Sequence, residues 1–149
     1  MSTNQQTPVY NVHLKKAKNA INFVLVLFFF ILLPVVFEEK FEQLFLLQGT
    51  LFLALFISAR TIYKYPILAV ITLGIMILFY LHGWYNFITQ INLPNNAGFD
   101  VKDFLFYLIL FLRIFTTTIV MRGFYFAIKG MIGKEQLEKR YETLDEDEM

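Results

Sequence analysis

Cysteine is absent from the 149 residues. No disulfide, thiolate metal site or thiol redox chemistry is therefore available to this chain. Charge is scarce too: Asp, Glu, Lys and Arg make up 17% of the residues, against about 25% in soluble domains. The charge that is present nearly cancels, with 13 basic and 12 acidic residues for a net +1. That balance argues against nucleic acid as a partner. Catalytic signatures are missing as well: there is no G-x-S-x-G, H-E-x-x-H, P-loop or dinucleotide fingerprint. The histidines are His13 and His82. The topology derived below places them on opposite membrane faces, so they do not ligate one haem. The same depth argument separates Ser58 from His82 and excludes a Ser–His dyad. No cofactor and no metal site is expected.

Apolar residues are abundant. They form 57% of the chain, and 18 Phe and 8 Tyr are among them; the mean hydropathy is +0.55. A disordered chain is excluded by this much apolar surface. The length allows one domain, and excludes a soluble enzyme core with a separate large anchor. A spanning helix needs roughly 20 predominantly apolar residues, and four segments supply them: residues 20–37, 41–59, 66–87 and 104–128. The fold expected is all-α: a polytopic membrane protein of four transmembrane helices in an antiparallel bundle. Glu38, Glu39 and Lys40 follow the first segment with no small-residue cleavage site, so it reads as a retained helix. Pro34 is expected to kink its last turn, and Pro66 suits the first turn of the third helix.

Orientation follows from the basic residues. Lys15, Lys16, Lys18, Arg60, Lys64, Lys129, Lys134, Lys139 and Arg140 fall on one side, and only Lys40 and Lys102 on the other. Both termini are thus expected in the cytoplasm, with a bacterial inner membrane as the working location. Residues 1–19 read as a polar cytoplasmic segment and 129–149 as a charged cytoplasmic tail. Within the tail, Leu137, Tyr141 and Leu144 recur at helical spacing and Glu135 precedes Lys139 by four. A short amphipathic helix is expected there, followed by a disordered acidic end at 145–149.

Arg113 is the most unusual residue. It follows Asp103 by ten positions, about 15 Å along a helix, near the middle of a roughly 30 Å hydrocarbon core. Such a residue is functional by default and requires a partner. No Asp or Glu lies inside a span, which leaves Gln48, Glu42 at an element end, backbone carbonyls, or an acid or lipid phosphate from another molecule. At 100° per residue, Thr117, Val120 and Phe124 share its face, with Ala127 and Gly130 on the same side. Gly123, Ala127 and Gly130 form a small-residue stripe open to close helix approach, and Arg113 and the stripe are expected at one interface. Ala54 and Ser58 form a second small pair on the second helix.

Other polar residues carry weaker expectations. Arg122 and Lys129, seven apart on one face, read as contacts to anionic lipid headgroups or a partner. Glu38, Glu39 and Glu42 form an outer acidic cluster whose spacing matches no calcium loop. His82, beside Trp84 and Tyr85 in an aromatic belt, is a candidate pH sensor. Three functions compete. The first is a non-catalytic accessory or scaffold subunit of a larger membrane complex, bound to other membrane subunits, itself or the lipid bilayer. The second is a homo-oligomeric channel or transporter lined by Arg113, Thr116–Thr118 and Gln48. The third is a lipid- or quinone-handling enzyme using His82 and the outer acids.

Overall fold

The computed structural model describes residues 9–35, 41–90 and 101–147. At positions 29–35, 41–48, 90, 101–103, 105, 141–142 and 144–147 the description is of the backbone alone. Every described element is helical: α1 Val9–Val35, α2 Phe41–Thr61, α3 Pro66–Gln90 and α4 Val101–Asp147. No strand occurs among the described residues. Two stretches, Pro66–Thr89 in α3 and Phe106–Arg140 in α4, are long and apolar enough to cross a membrane.

α1 packs on α2 and α4, and α3 packs on the same two helices. Directions follow from the contacts. Along α4, Phe115, Gly123 and Gly130 meet Phe23, Ala20 and Leu14 of α1, so the two helices run oppositely. Phe87, Gly83 and Gly74 of α3 meet Phe106, Arg113 and Phe124 of α4, again in opposite order. The core is continuous through all four helices, with Leu14, Ile21, Leu55, Ile62, Leu73, Met76 and Val120 fully buried.

The buried positions explain two departures from the expected boundaries. α1 begins at Val9, well before residue 20. Its polar start, with Asn11, Lys15, Lys16 and Lys18, also carries Leu14, Ala17, Ile21 and Val24, all buried. That 3–4–3 spacing is a helix seam, invisible to a search for unbroken apolar runs. α4 was expected to end at 128 and instead continues to Asp147. Its buried positions Thr116, Val120, Gly123, Ala127 and Gly130 hold the same alternation past that point, so the amphipathic tail helix is the same helix. Of the end expected to be disordered, 145–147 are helical, and 148–149 lie outside the described residues. At 1.5 Å per residue, 47 residues extend about 70 Å.

The α2–α3 connection is tight. Lys64 N and Tyr65 N both donate to Thr61 O, at 2.9 and 2.8 Å, and buried Pro66 opens α3 where its missing N–H has no consequence. Beneath the turn, Thr72 donates its hydroxyl proton to Leu68 O at 2.8 Å. Ser58 Oγ lies 2.9 Å from Thr72 Oγ1 and 3.4 Å from the same Leu68 carbonyl, so the two hydroxyls share one hydrogen-bonded cluster. Ser58→Ala is expected to cost about 0.5–1 kcal/mol, read as an earlier unfolding midpoint in detergent. An unchanged midpoint would show that the Ser58 hydroxyl adds nothing to α2–α3 docking.

Candidate functional site

The site is built on the facing ends of α3 and α4. Helical side chains lean toward the helix N-terminus. α4 enters where α3 ends, so Arg113 leans toward the α3 C-terminus. Its Nη1 donates to Gly83 O at 2.7 Å, and its guanidinium lies 4.7 Å from the centre of the Phe87 ring. Gly83 precedes Gln90 by seven residues, about 10 Å of helix. The charge thus sits at the level of Trp84, nearer the end of α3 than the sequence position of Arg113 implies.

A second link lies one residue on. Trp84 Nε1 donates to Thr117 Oγ1 at 3.0 Å, and Thr117 donates to the Arg113 carbonyl at 2.7 Å. Thr116 supplies a further bond to that carbonyl at 3.1 Å. The resulting clasp crosses the interface twice: from Arg113 to Gly83, and from Trp84 to Thr117.

Beside the clasp is a cleft of about 380 Å³ to which every helix contributes: Phe28 from α1, Leu51 from α2, Met76 and Tyr80 from α3, and Leu112, Arg113 and Thr116 from α4. The guanidinium has five N–H donors, and its described hydrogen-bond acceptor is Gly83 O. A cation set in apolar walls can hold a carboxylate, a phosphate or a carbonyl oxygen.

The expected shared interface of Arg113 with the small-residue stripe divides in two. Gly123 and Gly130 close on α1: an added Cβ at 123 would lie 2.9 Å from Ala20 Cβ, and one at 130 would lie 2.7 Å from Leu14 Cγ. Ala127 is fully buried with them. Arg113 and Thr117 turn to α3 instead. α4 touches α1 on one flank and α3 on the other, and a face drawn from angles alone covers both flanks.

Other expected residues are dispersed. Glu38 and Glu39 lie outside the described residues, as do the side chains of Glu42 and Gln48. Ser58 is buried and Ala54 half-buried on α2. His82 is exposed, with Nε2 3.1 Å from Asn86 Nδ2. Arg122 lies over Phe126 at 5.7 Å and Lys129 over Tyr125 at 4.8 Å. Lys16 and His13 share the Phe126 ring. No group of three metal-ligating side chains occurs among the described residues.

Gly83 and Phe87 had no place among the expected site residues. A backbone carbonyl acceptor leaves no mark in residue identity, and Phe87 is one of 18 Phe. In the sequence, Lys134 signals only orientation. Its Nζ donates to Lys64 O at 2.9 Å and to Tyr63 O at 3.4 Å, beyond the C-terminus of α2. A cation there is favoured by the carbonyls left open at a helix end. Lys134→Met is expected to cost about 0.5–1.5 kcal/mol and to speed amide exchange in residues 61–65. Unaltered exchange would separate Lys134 from the turn.

No family model, curated protein or solved structure matches the chain.

Proposed function

We propose that this chain is a four-span membrane protein with both termini in the cytoplasm, serving as a non-catalytic accessory or scaffold subunit of a larger complex in a bacterial inner membrane. Span-length α3 and α4 support the membrane reading, and α1 and α2 lie alongside them. The outward faces support it too. Ile71, Leu78 and Phe111 are 53%, 66% and 61% exposed, a distribution suited to lipid and costly in water. The chain has no cysteine, so topology can be tested by single-cysteine labelling. Thr89→Cys is expected to react with an impermeant maleimide from outside intact cells, and Gln136→Cys only after lysis. Reaction of both from one side would overturn the topology.

The observation that carries the subunit role is the unbroken α4. Its length of about 70 Å is more than twice the hydrocarbon thickness, so it carries a stiff, charged rod out of the bilayer. Lys134–Glu138 and Lys139–Glu135 pairs brace that rod, and α1 follows it as far as Tyr10 beside Gly133. A rigid element of mixed charge outside the membrane is a docking feature. The test is native mass spectrometry of the gently extracted protein, tagged at its N-terminus, with identification of what co-purifies. A stoichiometric membrane partner supports the subunit reading. A pure homo-oligomer overturns it and favours the second reading, a channel or transporter. The cleft lined by Arg113 favours that second reading, and flux through Arg113→Leu would then decide it.

A further inference from the structure

α1 and α2 leave an open groove of about 720 Å³ between them, lined at one end by Lys18, Asn22 and Arg60 and at the other by Val26, Phe52 and Phe56. From Lys18 to Val26 and from Arg60 to Phe52 are eight residues each, about 12 Å of helix. The polar end of the groove thus comes from the N-terminal half of α1 and the C-terminal end of α2, beside the α2–α3 turn. The apolar end comes from the middle of both helices. This is the polarity of an amphiphile: charge at one end, hydrocarbon at the other.

The cations are positioned but carry no described countercharge. Lys18 Nζ lies 5.4 Å from the Tyr63 ring centre, and the Arg60 guanidinium 5.2 Å from that of Phe56. Ring faces hold cations in place while leaving N–H groups to donate elsewhere. The described ion pairs both lie within α4, and neither Lys18 nor Arg60 meets a carboxylate among the described residues.

We infer that this groove binds one anionic phospholipid, its phosphate between Lys18 and Arg60 and an acyl chain along Val26, Phe52 and Phe56. Charge complementarity favours this occupant over the apolar face of a second copy of the chain, whose four apolar segments carry a single acid, Glu42, at the start of the second. The groove rests on the proposed membrane setting, not on the subunit role. Two basic groups at a bilayer surface favour an anionic over a zwitterionic headgroup on the order of tenfold.

The experiment uses the full chain in mild detergent, titrated with phosphatidylglycerol or phosphatidylcholine of matched acyl chains and read by native mass spectrometry. Phosphatidylglycerol is expected to be retained about tenfold more. Lys18→Gln with Arg60→Gln brings the two lipids to parity, whereas Lys15→Gln with Arg140→Gln, at exposed positions outside the groove, leaves the preference intact. Val26→Trp, at an exposed position, lowers retention of both lipids by filling the apolar end. Equal retention of the two lipids by the unaltered chain would overturn the inference. So would a preference that survives loss of Lys18 and Arg60, or one that falls equally in both double variants as diffuse surface charge requires. Displacement by inorganic phosphate alone would overturn the acyl-chain assignment. Failure of the membrane reading is a different result: extraction of the protein from vesicles by alkaline carbonate.

Discussion

Gly130→Ala is expected to destabilise the protein by about 1–3 kcal/mol, the cost of forcing a methyl group into a closed contact. The new Cβ would stand 2.7 Å from Leu14 Cγ and 3.3 Å from the Leu14 backbone nitrogen. Leu14 is fully buried, so its side chain cannot swing aside and the helices must part. Gly123→Ala acts the same way against Ala20 Cβ at 2.9 Å, an atom held rigidly by its backbone. Gly49→Ala is the control, because nothing among the described residues lies within 4 Å of the position. There the better helix propensity of alanine is expected to stabilise by about 0.5–1 kcal/mol. Thermal unfolding in detergent checks all three, at roughly 2–4 °C per kcal/mol. Gly130→Leu carries the effect further: α1 is expected to detach from the C-terminal half of α4, with fast amide exchange over residues 9–24. Matching midpoints for Gly130→Ala and Gly49→Ala would show that the α1–α4 approach is looser than described.

The second large effect is at Arg113, where sign depends on the replacement. Arg113→Leu loses a charge-assisted hydrogen bond to Gly83 O, about 1.5–3 kcal/mol, and a cation–π contact with Phe87, about 0.5–2 kcal/mol. In the proposed membrane setting it also removes a charge whose insertion costs about 2.5–3.5 kcal/mol. These contributions largely offset one another, so the net change in stability is expected to stay within about 2.5 kcal/mol. Arg113→Glu has no such offset. The carboxylate faces a carbonyl oxygen and the negative face of a ring, and the charge remains, for a loss of about 3–5 kcal/mol. Chemical unfolding separates the two variants. A stable Arg113→Leu protein that fails to retain a partner co-purifying with the unaltered chain would assign Arg113 to recognition. A large destabilisation by Arg113→Leu would assign it to α3–α4 docking.

The contrast between these residues shows what one dimension of information holds. The helical class and the absence of thiol chemistry are composition and periodicity, properties of each segment alone. The start of α3 at Pro66 and the bounds of α2 follow from the same local signals. The N-terminal half of α1 does not, because Leu14 and Ala17 become a core only when α4 supplies Ala127 and Gly130 opposite them. Gly130 and Gly133 invite a helix end in isolation, yet α4 passes through both because α1 closes on them.

The Arg113 site divides along the same line. Its oddity is visible from the sequence, since a charge in an apolar run demands a partner. The partner is not, because Gly83 O is a backbone atom without a residue signature, and the lean of the side chain depends on which end of α3 stands beside it. By itself the sequence determined that the four apolar segments are helical, how apolar they are and which chemistries are closed to them, because these depend on near neighbours in the chain. Only the tertiary structure decided which flank of α4 meets α1, which meets α3 and where the Arg113 charge comes to rest, because these depend on distances between residues far apart in the chain.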